Sequence, residues 1–174
     1  MIQTHRLNLI PLQNAHFQSI IDENYILLGQ LLDVETPTNW TEMPDAAVIL
    51  PYFQAMIAQE AHLFGAYVIV HRADRRLIGT SGFKGKPDVM GMVEIGYEVS
   101  EAYQGQGIAT EAAQGLIDFA FSHAEILVVQ AHTLAVLNKS VAVLKKVGME
   151  FKGISYDPEE GDTWLWQKCV VVGN

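Results

Sequence analysis

A glycine-rich turn at residues 104–110, with the sequence Gln-Gly-Gln-Gly-Ile-Ala-Thr, has the composition of a phosphate-binding site. It follows an apolar strand pattern over residues 93–99 and leads directly into an amphipathic helix. The first amides of a helix lack intrahelical partners, and the helix dipole places partial positive charge beside them. Gly105 and Gly107 carry no Cβ, so an anion can approach the backbone closely. The sequence therefore predicts a phosphate or pyrophosphate site at this turn.

Two common nucleotide-binding motifs do not fit the 104–110 turn. A Walker P-loop has Lys followed by Ser or Thr after its second glycine, and the turn contains no lysine. A dinucleotide fingerprint has a third glycine, where this chain has Thr110, and an acidic residue closing the next strand. The apolar strand expected over 126–133 ends without a carboxylate. We therefore expect neither a P-loop nor a Rossmann fold.

An ordered set of motifs resembles the GNAT superfamily of N-acetyltransferases over nearly the whole chain. Gln104-x-x-Gly107-x-Ala109 matches the turn Q/R-x-x-G-x-G/A of that family. Residues 4–12 (THRLNLIPL) resemble the first strand, T-x-R-L-x-L-R-P-L, of the branch with ribosomal-protein (Rim-type) N-terminal acetyltransferases and many small-molecule relatives. Residues 138–149 resemble the N-x-x-S…V-L-x-K-x-G-F/M segment of the same branch, and Gly-x-x-Trp-x-Trp follows near the end.

The resemblance implies acetyl-coenzyme A as cosubstrate, with its pyrophosphate in the 104–110 turn. It also implies that the strand before the turn bonds the pantetheine arm through its backbone, and that an asparagine after the next strand contacts the arm. The cofactor-binding residues expected on this basis are Tyr97, Glu98, Val99, Gln104, Gly105, Gln106, Gly107, Ile108, Ala109, Thr110 and Asn138. No Cys/His cluster has metal-ligand spacing, so no metal is expected.

Acetyl transfer to an amine requires a base for the ammonium proton, stabilisation of an oxyanion, and a proton for the thiolate. The resemblance implies direct attack of the amine on the thioester, so Cys169 is expected to be a small apolar residue rather than a nucleophile. Glu94 is the candidate base, because relatives carry on this strand a glutamate that works through water. Half burial would raise the pKa of its carboxyl. A solvent-facing role is the alternative, and Glu98, on the same strand face, is the reserve. His132, on an apolar strand, is expected to be a satisfied core histidine.

The general acid is less well defined. Many relatives place a tyrosine on the helix after the asparagine, but that position is Leu144 here. Ser140 matches the serine proposed to replace it in Rim-type relatives, although the segment from Asn138 to Ser140 is one residue shorter than N-x-x-S. The alternative role for Ser140 is at the start of the helix, as N-cap or first-turn residue. Trp40, in a proline-punctuated loop, is the candidate for lining the amine pocket, with packing over the core as its alternative.

The elements that must position these groups follow an α/β order. The sequence predicts a strand over 6–12, helical stretches over 15–33 (capped by Asn14, with a break at Gly29) and 45–61, a hairpin of 66–71 with 76–82, and a strand over 92–99. Apolar residues at 109, 112, 113, 116, 117 and 120 predict a helix whose alanines allow close approach to the sheet. A strand over 126–133, a helix over 138–147 ended by Gly148, and strands over 151–156 and 163–171 follow. This is the order that the GNAT resemblance implies.

The resemblance further implies the GNAT acyl-CoA acyltransferase fold of the α/β (α+β) class. This is a mixed, mostly antiparallel sheet flanked by helices and splayed between the fourth and fifth strands, 92–99 and 126–133. We expect a bulge in the fourth strand to open a V for the pantetheine arm, which residues 97–99 would bind as another strand would. Gly96 fits a bulge, a close backbone approach or simple packing. The 104–110 turn should lie at the open end of the V.

Composition is that of an ordinary globular protein forming one domain over residues 1–174, with 49% apolar and 18% charged residues. No apolar run reaches the roughly 20 residues of a membrane-spanning helix. The first residues lack the features of a secretory signal, and a single cysteine fits the reducing cytoplasm. Eleven Lys and Arg against 20 Asp and Glu give a formal charge of −9, without the basic patch that nucleic acid requires. This charge would steer a cationic amine, or simply favour solubility.

The sequence thus predicts a cytoplasmic, acetyl-CoA-dependent N-acetyltransferase that acts on a primary amine in a ternary complex, with no nucleic-acid or membrane partner and with a homodimer left open. The alternative is a CoA-binding sensor or partner protein without efficient catalysis, which the missing tyrosine and the shortened Asn–Ser spacing motivate. Protein N-termini, amino acids, polyamines and antibiotics all fit as acceptors, because acceptor loops vary in such folds.

Overall fold

The computed structural model describes residues 1–37, 63–158 and 160–171. The strands in these ranges are β1 (Ile2–Gln3), β2 (Leu7–Pro11), β3 (Ala66–His71), β4 (Arg76–Phe83), β5 (Met92–Val99), β6 (Val128–Leu134), β7 (Glu150–Asp157) and β8 (Gly161–Cys169). They form one sheet in the order β1-β2-β3-β4-β5-β6-β8-β7. Neighbouring strands pair antiparallel except β5 and β6, which run parallel. The predicted mixed, mostly antiparallel sheet is confirmed.

Helices cover both faces of this sheet. Those in the described ranges are α1 (Asn14–Ile21), α2 (Tyr25–Leu32), α3 (Ile108–Phe121) and α4 (Lys139–Lys146), with a short 3-10 turn at Glu101–Tyr103. The apolar face of α3, including Ala112, Ala113 and Leu116, is fully buried in the main core together with Val93 and Val129 from β5 and β6. A smaller core under α1 and α2 includes Phe17, Leu28 and Leu77. The predicted alanine-rich helix therefore lies close against the sheet, directly after the 104–110 turn.

The strands β5 and β6 separate after a short paired stretch, as predicted for the fourth and fifth strands. Their parallel register contains three pairs, of which the last is Glu94 with Gln130. Beyond it, β5 continues to Val99 in pairing with β4, while β6 continues to Leu134 in pairing with β8. The 104–110 turn follows Val99, so it lies at the open end of the gap. A cleft therefore runs from the last β5–β6 pair to this turn.

The prediction of a bulge in β5 is wrong. Pairing of β5 with β4 is regular from Ile95 to Val99, and the irregularity in this part of the sheet lies between β3 and β4, at Ile69/Val70. The cleft opens where the β5–β6 pairing ends, while β6 keeps its seven pairs with β8 and β5 keeps a regular register with β4.

Other local predictions, in the N-terminal half of the chain, are wrong. The structure adds the short strand β1, and α1 begins at Asn14 with Gln13 as N-cap, so Asn14 is not the cap. The helical stretch breaks at Glu23, whose φ is 52°, and not at Gly29, because the side chain of Asn24 caps a new helix by accepting from the Leu27 N–H. The predicted helix over 45–61 lies outside the described residues.

Candidate active site

The 104–110 turn forms an open cradle at the start of α3. Gly105 and Gly107 have φ values of 73° and 79°, in the left-handed region that favours glycine. Gly107 is the N-cap of α3 and no side chain caps the helix there, so the amides from Ile108 to Thr110 lack helical partners. In the part of the chain that the structure describes, a Cβ at Gly105 would meet no atom within 4 Å, and one at Gly107 would meet Arg6 Nη2, at 3.6 Å. The turn thus offers outward-facing amides with room in front of them.

A clamp from the N-terminal segment holds this turn in place. One carboxylate oxygen of Glu111 accepts hydrogen bonds from the Thr4 hydroxyl and the Arg6 N–H, both at 2.6 Å, and the other accepts from Arg6 Nε at 2.7 Å. Arg6 Nη1 also donates to the Gln106 carbonyl at 3.0 Å. Burial alone would raise the pKa of the Glu111 carboxyl, but the donors from Thr4 and Arg6 more than offset it, so the pKa lies below its ordinary value.

The edge of β5 presents backbone groups to the cleft at alternate residues. The Lys84 N–H donates to the Glu94 carbonyl and the Ser100 N–H donates to the Ile78 carbonyl, so even-numbered residues of β5 point their backbone groups toward β4. Tyr97 and Val99 therefore point theirs into the cleft, whereas Glu98 does not. The prediction of Glu98 as a backbone contact for the pantetheine arm is accordingly wrong, because antiparallel pairing alternates the direction of each residue.

Two links cross the open end of the cleft and join β5 and the turn to α4. Gln104 donates to the Val99 carbonyl at 2.9 Å and accepts from Lys139 Nζ at 2.7 Å. The Tyr97 hydroxyl donates to the Ser140 carbonyl at 3.4 Å, and burial raises the pKa of this phenol. The structure therefore brings Tyr97, Gln104 and Ser140 together around one opening.

Glu94 lies at the closed end of the cleft, within a cluster of donors. One carboxylate oxygen lies 2.6 Å from Lys84 Nζ and 3.1 Å from His132 Nδ1, and the other accepts from Gln130 Nε2 at 3.1 Å. Burial would raise the pKa of this carboxyl, but the charges and hydrogen bonds of Lys84 and His132 outweigh it and set the pKa below its ordinary value. The expected rise is wrong, because these partners are distant in sequence.

His132 is a site residue that the sequence analysis missed. Its side chain is 24% exposed and lies on the same face of β6 as Gln130, which makes it part of the Glu94 cluster rather than of the core. Side chains two residues apart on a strand lie on the same face of the sheet. Once the parallel pair of Glu94 with Gln130 is known, His132 is therefore expected on the face that carries Gln130 and Glu94. That register is a tertiary property that the strand sequence alone does not specify.

The residues at the start of α4 are placed as follows. Asn138 is the N-cap, and its side-chain oxygen accepts from the Val141 N–H at 3.0 Å, which leaves only its NH₂ group to donate to a ligand. Ser140 is half-buried in the first turn, and its hydroxyl bonds to none of the described residues. Leu144 is buried in the main core, so no side chain at the usual tyrosine position reaches the cleft.

The other candidates lie elsewhere. Glu98 is exposed, four residues from Glu94 on the same strand face. Cys169 is exposed at the end of β8, so its expected role as an apolar packing residue is wrong. Trp40 lies outside the described residues. Within the described ranges, no group of three His, Cys, Asp or Glu side chains could hold a metal ion, and no helix could span a membrane.

Comparison with known proteins agrees with this geometry. The family described as "Acetyltransferase (GNAT) domain" matches residues 6–150. The probable N-acetyltransferase YjcK of Bacillus subtilis (strain 168) is 32% identical over 144 residues, covering 82% of this chain and 76% of the relative. The uncharacterized N-acetyltransferase YjdG of the same strain is 28% identical over 124 residues, covering 70% of this chain and 73% of the relative.

Among solved structures, RimL, a ribosomal L7/L12 alpha-N-protein acetyltransferase in complex with coenzyme A, has the same fold. Its TM-score is 0.70 at 17% identity, over 98% of this chain and 97% of that one. The family match covers most of the sequence, and β5, the 104–110 turn, α3 and β6 all lie inside it. The chain therefore belongs to the GNAT family of N-acetyltransferases.

Proposed function

We propose that this N-acetyltransferase acetylates a primary alkyl amine by direct attack on the thioester, in a ternary complex formed at the β5–β6 cleft. The observation that carries the proposal is the end of β5–β6 pairing at Glu94 and Gln130, which leaves a cleft that reaches the 104–110 turn. A cosubstrate with an anionic end and a long neutral arm matches this shape.

The pyrophosphate charge and the pantetheine amides of acetyl-CoA determine how the donor binds in the cleft. The pyrophosphate binds the outward-facing amides of the 104–110 turn, where the helix dipole favours an anion. The pantetheine amides bond Tyr97 and Val99 as another strand would. The stretch from Ile95 to Val99 spans about 13 Å at 3.3 Å per residue, a length that an extended pantetheine arm can fill. The thioester then lies near the closed end of the cleft, beside the Glu94 cluster.

The chemistry follows from this placement. The amine nitrogen attacks the thioester carbonyl, the tetrahedral oxyanion collapses, and the C–S bond breaks to release the coenzyme A thiolate. Glu94 is part of the side-chain cluster that removes the amine proton. The Ser140 hydroxyl donates a hydrogen bond to the leaving sulfur. A serine hydroxyl is a weak acid, so this contribution is small beside that of the base.

The acceptor is a primary amine that approaches from the sheet face on which Glu94 lies. Among the described residues, an added Cβ at Gly96, on the same face, would meet no atom within 4 Å, which leaves room for such an approach. The formal charge of −9 supports a cationic acceptor. RimL acts on a ribosomal protein, so protein N-terminal amines and small alkyl amines are both candidates here. A chain with one exposed cysteine fits the cytoplasm.

A screen of amine classes for thiol release from acetyl-CoA tests this function. The expected result is amine-dependent release with at least one class among N-terminal peptides, amino acids and polyamines. Calorimetry with coenzyme A, run in parallel, separates the alternatives. Binding without any amine-dependent release would instead indicate a CoA-binding module, and absence of binding would refute the cleft assignment.

A further inference from the structure

The carboxylate of Glu94 is engaged by three donors that favour its ionised form, which makes it a weak base toward another proton. Lys84 and His132 both bond Oε1, and Gln130 bonds Oε2. Protonation of the carboxylate would weaken its contacts with these partners. The contact at 3.1 Å between His132 Nδ1 and Glu94 Oε1 offers another route.

This contact fixes the tautomer of the imidazole. An ionised carboxylate only accepts hydrogen bonds, so the nitrogen facing Glu94 must carry the hydrogen. In the neutral ring the other nitrogen, Nε2, then holds the lone pair and can take a proton. Nε2 has no hydrogen-bond partner among the described residues. The ring is therefore oriented as a base whose reactive atom is free.

The position of His132 places this atom at the reacting end of the cleft. His132 follows the last β5–β6 pair by two residues on β6, and Gly96 follows it by two residues on β5. The two residues thus lie at the same depth, just where the strands part. Gly96 has no side chain to cover the imidazole, and the ring remains 24% exposed.

We propose that His132 Nε2 accepts the proton of the attacking amine, and that Glu94 is a positioning residue that orients the ring and stabilises its protonated form. This proposal rests on the acetyl transfer proposed above and deepens it by naming the base.

The step balances without any further reactant. As the amine nitrogen forms its bond to the thioester carbon, one N–H proton moves to Nε2, and Glu94 offsets the charge of the imidazolium. The C–S bond then breaks, and the thiolate takes a proton from water while the imidazolium returns one to water. The sum is amine plus thioester giving amide plus thiol.

Among the described residues, the charged groups on this face of the sheet near the imidazole include Glu94 and Glu98 on β5 and Lys84 after β4. Lys84 Nζ and His132 Nδ1 contact the same carboxylate oxygen, Oε1 of Glu94. The residues of β8 opposite His132 and Gln130 are Leu165 and Gln167, both uncharged. Removal of the Glu94 charge should therefore make the imidazolium less stable.

The pH dependence of kcat/KM separates the two candidate bases. Expressing kcat/KM per concentration of unprotonated amine removes the ionisation of the acceptor from the profile. His132→Gln should lower kcat/KM by roughly 10²- to 10⁴-fold and abolish the acidic limb of the profile. Glu94→Gln should lower kcat/KM but keep an acidic limb. The opposite pattern, with the limb lost in Glu94→Gln and kept in His132→Gln, would overturn the proposal.

Two further measurements keep the result interpretable. His123→Gln is the matched control, because His123 bonds Phe119 at the far end of α3 and should leave kcat/KM unchanged. Nitrogen NMR of the His132 ring reports the tautomer independently of turnover, and the neutral ring should carry its hydrogen on Nδ1. A hydrogen on Nε2 would refute the role of His132 even if no amine were turned over, whereas failure of the amine screen alone would refute only the proposed function.

Discussion

Arg6 Nε donates to Glu111 Oε2 at 2.7 Å across 105 residues of sequence, and this bond ties the segment before β2 to the first turn of α3. The side chains involved are 35% and 16% exposed, so the pair is better protected from solvent than an ordinary surface ion pair. Arg6 also reaches the backbone of Gln106. The geometry of the candidate pyrophosphate turn therefore depends on a residue that lies outside it.

Replacement of Arg6 should weaken coenzyme A binding although Arg6 is not one of the residues of the 104–110 turn. We expect Arg6→Gln to raise the Kd for coenzyme A by roughly tenfold, the effect of one lost charge-assisted hydrogen bond. Arg75→Gln is the control, because its partner Asp33 is 91% exposed and the pair should contribute little. Calorimetric titration of both variants measures the effect. Equal affinities would show that the clamp does not shape the turn.

Glu111 should make the protein sensitive to acid. Its pKa is lower in the folded state than in the unfolded chain, so its stabilisation is complete above the unfolded pKa of about 4.3 and is lost as pH falls through the folded pKa. Glu111→Gln should lower Tm at pH 7 and flatten the fall of Tm at acidic pH. Thermal unfolding of both proteins from pH 7 to pH 3 tests this, and parallel curves would contradict it.

A side chain at Gly107 should abolish the anion site. Gly107→Asp places a carboxylate in front of the first amides of α3, and we expect at least a hundredfold loss of coenzyme A affinity from charge repulsion and occlusion. The matched control is Gly161→Asp, since Gly161, at the start of β8, has a φ of 78°, close to that of Gly107. Both variants carry similar backbone strain. A folded Gly107→Asp protein with wild-type affinity would disprove the assignment of the turn.

A side chain at Gly96 should obstruct the amine and spare the donor. The Cβ of this residue would meet none of the described residues within 4 Å on the proposed acceptor face, and the φ of Gly96 is not in the left-handed region. Gly96→Leu should therefore raise the KM for the amine by tenfold or more and leave the Kd for coenzyme A unchanged. Slow hydrolysis of acetyl-CoA, with water as acceptor, serves as the internal control. A loss of coenzyme A affinity would indicate that this face holds the donor instead.

Local patterns were sufficient for the elements around the site. The apolar period from Ala109 to Ala120 predicts α3, and the paired strand patterns predict the hairpin of β3 and β4. Each depends on residues close in sequence, so the sequence carries the information directly. The family motifs add the cleft between β5 and β6, which the pairing confirms.

The parts that sequence did not predict depend on distant contacts. The donors around Glu94 come from Lys84, Gln130 and His132, and their convergence requires the parallel register of β5 and β6. The same register moves His132 from an expected core position to the cleft. The cleft likewise depends on distant contacts. It opens without a bulge in β5, where β6 stops pairing with β5 and keeps its seven pairs with β8.

The short ladder between β5 and β6 also affects how fast the donor can enter. The main core runs without a break beneath the cleft, through Ile95 and Val99 on one side and Ala131 and Leu144 on the other. Apolar packing, rather than strand pairing, thus holds the two parts of the sheet at their separation. No pair of the β5–β6 ladder has to open before the arm of coenzyme A can lie along β5, although the bonds of Gln104 to Val99 and of Tyr97 to Ser140 cross the open end of the cleft. Reorganisation free energy should therefore be a small part of the association barrier, and diffusion and charge should set the on-rate.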